Sequence, residues 1–175
     1  MRPVMIFTAI LALVGAPTAF VSAQDTDFSG SWTLDRDASD IPQGRGGGGR
    51  GGGRGGRGGL GAQMADALVI TQSASSLTIE QSRGGRSQTV EYALDGSETT
   101  IEQGRGGVLT VTATWDGGTL VISGSQELET PRGNFSITLN ELRTLSADGQ
   151  ALVIESTRGT PRGERTMTLV YRKAP

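Results

Sequence analysis

The sequence predicts an all-β fold, an up-and-down antiparallel meander of about eight to ten strands that closes into a barrel. A disordered Gly/Arg-rich loop is expected after the first strand. Three observations carry this reading. Apolar residues recur with a period of two, as in Leu109, Val111, Ala113 and Trp115 against Thr110, Thr112 and Thr114. Turn signals such as Asp95-Gly96, Asp116-Gly117-Gly118 and Asp148-Gly149 punctuate the runs and suit tight hairpins. No stretch sustains a helical period. A long meander with one apolar face removes its exposed edges by closing on itself.

Residues 1–23 are read as a secretory signal: Arg2 is the positive start, Val4 through Val14 is nearly all apolar, and Val21-Ser22-Ala23 is a small-residue cleavage site. The apolar stretch is shorter than the roughly 20 residues of a membrane span. The expected mature chain, residues 24–175, is therefore exported and periplasmic, with no transmembrane segment. Export permits disulfides, but the sequence has no Cys, so packing alone must hold the barrel domain.

The first strand is Phe28–Leu34. Asp35, Asp37 and Asp40 follow it and are read as solvated turn residues, because their spacing lacks the later Glu of a calcium loop. The barrel is then interrupted by residues 43–61. From Gly44 to Gly61 there are 13 Gly, four Arg (Arg45, Arg50, Arg54, Arg57) and a single apolar residue, Leu60, too little to offset the entropy of ordering such a backbone. Without the signal and the insert, the chain has 11 basic against 18 acidic residues, an excess of negative charge that the near-neutral total of -2 conceals. A coil of this length spans on the order of 23 Å and could lie across its own acidic domain. Arg-Gly-Gly repeats also occur in RNA-binding tails, but no Phe or Tyr is interleaved here and an exported protein meets little RNA, so no nucleic-acid partner is expected. The insert is read as a tolerated expansion of a surface loop with no dedicated partner, and contact of these four arginines with an envelope polyanion is the second functional option.

The later strands are expected at Leu68–Gln72, Leu77–Gln81, Val90–Leu94, Thr99–Gln103, Leu109–Trp115, Leu120–Ser123, Phe135–Leu145, Leu152–Ser156 and Glu164–Arg172. Their inward residues include Leu68, Ile70, Leu77, Ile79, Val90, Leu109, Leu120, Ile137, Leu152, Ile154 and Leu169. The candidate ligand contacts among the inward positions are Tyr92, Val111, Trp115, Ile122, Phe135, Leu139, Met167 and Tyr171. Arg-Gly elements at Arg83, Arg105, Arg132, Arg158 and Arg162 fall near turns. They are read as solubilising charges at hairpin tips; if several tips share one barrel end, they form an anion-attracting rim. Glu127 and Glu129 lie two apart on a strand, and nothing marks a sugar groove beside them.

The string Phe28-Ser-Gly-Ser-Trp-Thr-Leu carries a Gly-x-Trp element, Gly30 and Trp32, and resembles the first strand of lipocalins. With the hairpins Trp115–Ile122 and Leu145–Leu152, it is similar to exported bacterial lipocalin-like proteins of the calycin type, most of unassigned function. The resemblance implies that Trp32 plugs one barrel end. It also implies that a basic residue late in the last strand packs over that ring, with Arg172 in the matching place and Lys173 as runner-up. It further implies a binding protein for a small apolar ligand.

No His and no Cys means no imidazole base, no Cys nucleophile and no zinc site of the usual ligands. The expectation is a non-enzymatic carrier of a small apolar molecule in the cell envelope, without metal or cofactor. The alternative is an interaction module whose barrel is filled and whose Arg-Gly loop touches a polyanion or a partner protein.

Overall fold

The computed structural model describes residues 26–41, 64–103, 107–130 and 133–175. The segment read as a secretory signal, the 43–61 insert with Arg45, Arg50, Arg54 and Arg57, and the turn residues Arg105 and Arg132 lie outside the described residues.

Alternating side chains and turn residues produce the strands β1 (Gly30–Asp35), β2 (Ala67–Gln72), β3 (Ser76–Arg83), β4 (Arg86–Ala93), β5 (Glu98–Gln103), β6 (Gly107–Asp116), β7 (Thr119–Thr130), β8 (Gly133–Leu145), β9 (Ala151–Thr160) and β10 (Gly163–Lys173). They form one sheet in the order β4-β3-β2-β1-β10-β9-β8-β7-β6-β5. Every neighbouring pair is antiparallel. The first strand pairs with the last, so the sheet curls round until its margins, β4 and β5, lie against each other. No backbone ladder joins them among the described residues. The Ala93 N–H reaches across to Thr99 Oγ1 at 3.2 Å. The result is a nearly closed ten-stranded barrel, and no helix occurs among the described residues.

The period of two decides which side chains go in. Residues directly opposite on paired strands share a face, so Leu77 meets Tyr92 and Ile79 meets Val90 between β3 and β4, while Ala113 meets Ile122 between β6 and β7. Leu77, Ile79, Leu120, Ile122 and Leu152 are fully buried. The intervening Thr and Glu residues face out. At the hairpins, Gly96, Gly117 and Gly149 each have a positive φ, the conformation that the Asp-Gly pairs predict. β7 and β9 extend well beyond their apolar runs to Thr130 and Thr160. Their polar ends pair with β8 and β10, and a backbone ladder needs no apolar side chain.

One expectation is corrected. Lys173, not Arg172, stands over Trp32, with Nζ 5.5 Å from the ring centroid. In the β1–β10 register, Trp32 lies opposite Lys173, whereas Arg172 lies opposite Thr33 on the outer face. Arg172 Nε instead pairs with Asp35 Oδ2 at 3.0 Å. Parity along Met167, Leu169 and Tyr171 points to Lys173 as the inward residue.

Candidate functional site

The barrel has two unlike ends. At one, the segment before β1 makes a plug. Gln72 on β2 binds it twice, accepting from the Phe28 N–H at 3.1 Å and donating from Nε2 to the Thr26 carbonyl at 2.9 Å. Phe28 is fully buried and stacks on Trp115 with ring centroids 5.6 Å apart. Trp32 is buried as well and satisfies its indole by donating from Nε1 to the Phe28 carbonyl at 2.9 Å. Gly30 has φ of 137°, and a Cβ there would stand 3.2 Å from Lys173 Cε. Glycine thus leaves room for the lysine stem to cross to the Trp32 ring. Trp115, expected as a lining residue, belongs to this plug and is only half-buried.

Chain direction sorts the turn residues. β1, β3, β5, β7 and β9 all run away from the plugged end, so the turns carrying Asp95, Asp116 and Asp148 lie at that end. Arg83, Arg86, Arg158 and Arg162 lie toward the other end, and the strands flanking 104–106 and 131–132 finish there too. Phe135 and Ile137, on the inner face of β8 toward this end, are half-buried.

Between the ends the inner face is aliphatic except for a polar cluster. Tyr92, Val111, Ile122, Leu139, Met167 and Tyr171 are all buried core residues. The parity that turns Leu139 inward also turns Glu141 and Arg143 inward, and both are buried. Arg143 Nη2 donates to Glu141 Oε2 at 2.7 Å. The guanidinium also reaches across the barrel to within 5.5 Å of the Tyr92 ring. Ser156 and Arg158 on β9 share this face, opposite Glu141 and Leu139 respectively. Ser156 Oγ contacts Glu141 Oε1 at 3.5 Å. Tyr171 donates its hydroxyl to the Ala65 carbonyl at 3.1 Å.

The cluster carries more donors than acceptors. Arg143 Nε and Nη1 and Arg158 Nε are buried without a hydrogen-bond partner. Such groups are costly to leave unpaired. Burial pushes the Arg158 guanidinium below its ordinary range, and Glu141 partly opposes this. Burial also acts against the charge on Arg143, but Glu141 and Tyr92 together outweigh it and hold the group above its ordinary value. Burial raises both phenols, Tyr92 and Tyr171, the latter to about 12. Arginine is basic enough to stay cationic at pH 7, and the raised phenols of Tyr92 and Tyr171 are neutral there. The sequence reading retained apolar residues alone and so missed Glu141 and Arg143, although the alternation through Phe135, Ile137 and Leu139 runs straight into them.

Of the acidic groups singled out in the sequence, Asp35 is engaged and Glu127 faces solvent. Asp35 Oδ1 accepts from the Asp37 and Ala38 amides while Oδ2 holds Arg172. Among the described residues, no group of three or more His, Cys, Asp or Glu could hold a metal ion, and no helix is long and apolar enough to cross a membrane.

No protein-family model matches the chain, and no curated protein matches it either. Solved structures do match its fold. The apo form of Caenorhabditis elegans lipid binding protein 8 is 13% identical with a TM-score of 0.52, and the match covers 84% of this chain and 95% of that one. The REP1-NXSQ fatty acid transporter is 13% identical with a TM-score of 0.51, covering 84% of this chain and 96% of that one. At such identities the likeness is one of fold. It agrees with the antiparallel barrel expected from the resemblance read at Gly30 and Trp32.

Proposed function

We propose that the barrel is a non-enzymatic binding protein for a small amphipathic molecule, an apolar tail with one anionic head, held on the inner face. The carrying observation is the surplus of buried cationic donors on Arg143 and Arg158 amid an aliphatic interior. A carboxylate or similar head would accept from these N–H groups, with the Arg143 and Arg158 charges compensating it and Glu141 and Ser156 orienting them. Leu139, Met167, Ile122 and Val111 would meet the tail. The end without the plug is the route of entry. The fold match to a fatty acid transporter and a lipid binding protein supports this reading. The N-terminal pattern of residues 1–23 supports export, with carriage in the periplasm as the setting.

Displacement of a fluorescent fatty acid tests it. Saturable binding at micromolar concentration is expected, with Arg158→Met weakening a carboxylate ligand about tenfold while leaving its uncharged alcohol analogue nearly unchanged. No displacement across several lipid classes would favour a filled barrel acting as an interaction module.

A further inference from the structure

A second cationic feature lies apart from the interior cluster, on the β3–β4 hairpin. The register places Arg83 opposite Arg86 and Gln81 opposite Gln88. All four have the parity of the buried Leu77, Ile79, Val90 and Tyr92, so they continue the inner face of the barrel toward its unplugged end. With Ser87, and with Met64 and Ala65 on the approach to β2, they line a pocket of about 290 Å³.

Two like charges directly opposite on an antiparallel pair destabilise it, so this hairpin carries a cost that nothing in the pocket relieves. No carboxylate lines the pocket. Asp66, next to Ala65, is engaged by Arg36 and by the Gly84 N–H, and it opposes the Arg83 charge only at a distance. Among the described residues, neither the Arg83 nor the Arg86 guanidinium has a hydrogen-bond or ion-pair partner. Two guanidinium forks, two carboxamides and the nearby Ser87 hydroxyl form a set dominated by donors around a space that holds a small polar group.

We propose that this pocket binds a phosphate dianion, carried as a monoester or free. Two permanent positive charges match the dianion, and each planar fork can take two of its oxygens bidentately. A monocarboxylate would neutralise only one of them. The group is borne either by a lipid headgroup or by free phosphate. The pocket shares no residue with the Arg143 and Arg158 cluster, so the site stands or falls independently of the interior reading.

The test titrates inorganic phosphate into the full chain while following the arginine Nε–H resonances, against chloride at matched ionic strength. Saturable phosphate shifts are expected at two arginines. Arg83→Gln and Arg86→Gln, both at an exposed hairpin tip, each weaken binding about tenfold, while Arg162→Gln at the same end leaves it unchanged. Binding strengthens as the pH rises through the second ionisation of the phosphate, about 6 for the monoester lipid and roughly a unit higher for inorganic phosphate. Repeating the titration with a single-chain lipid bearing a phosphate head separates the sources. Affinity well above that of inorganic phosphate identifies a lipid headgroup, and equal affinity identifies the free anion. Shifts that merely follow ionic strength, or unchanged affinity in both glutamine variants, would overturn the proposal.

Discussion

Arg143 and Glu141 show how one pair of side chains couples the stability of this barrel to its chemistry. Both are buried, and each is tolerated because the other is 2.7 Å away. Removing one partner strands a charge in an apolar interior, which costs about 3–5 kcal/mol, whereas replacing both by apolar residues is often neutral. Glu141→Gln is accordingly expected to lower the unfolding free energy by several kcal/mol in urea titrations, and Glu141→Gln with Arg143→Met to recover most of the loss. If the double variant is as unstable as the sum of the two single ones, the two groups are not acting as a pair. At this scale the sequence was legible for apolar residues and opaque for charged ones. Leu139, Met167 and Tyr171 are legible as inward because hydrophobicity and parity agree there, and all three are buried. At Glu141 and Arg143 the two conflict, and parity alone was right.

Strands depend on where backbones approach each other. β7 passes so close to β6 at Gly124 that a Cβ there would collide with the Thr110 carbonyl oxygen and would stand 2.6 Å from Val111 Cγ1. A backbone atom cannot move aside as a flexible side chain can. Gly124→Ala is expected to destabilise the protein by about 1–3 kcal/mol, read as a lower urea midpoint with an unchanged denaturant slope. An equivalent substitution at Gly149, where a Cβ would meet nothing within 4 Å, tests φ strain without the clash. The turn glycines after Asp95, Asp116 and Asp148 were legible because the dipeptide itself sets the turn. Gly124 was not, since its requirement comes from a partner strand that no local pattern names.

Across the whole molecule, pH should act from both sides of a broad plateau. Asp27, Asp35, Asp66, Asp95 and Asp148 are held below their ordinary 3.8, chiefly by hydrogen bonds from Ser29, Arg172, the Gly84 N–H, Ser97 and Ser146 respectively. A depressed folded pKa contributes stability that is present above the unfolded value and is lost as the pH falls through the folded one. Tyr92 and Tyr171 have the opposite sign, because burial disfavours their phenolates. Their contribution is complete below about pH 10, and for Tyr171 it is lost as the pH rises toward about 12. With no His in the sequence, no step belongs between these limbs. A thermal midpoint that is flat from about pH 5 to 9 and falls on either side is expected. A titration step near neutrality would contradict this assignment of groups.

The sequence by itself determined the all-β class, the meander and the placement of turns, because period-two alternation and Asp-Gly chemistry are local and act before any long-range contact forms. It also held the plug residues in Gly30 and Trp32. The tertiary structure decided which charges share a space. Arg143 meets Tyr92 across the barrel, Arg83 lies opposite Arg86 in a pocket lined also by Met64, and Lys173 rather than Arg172 covers Trp32. Each of these depends on register or on closure of the sheet. Those are set by the sum of many pairings along whole strands and cannot be read from any short stretch of chain.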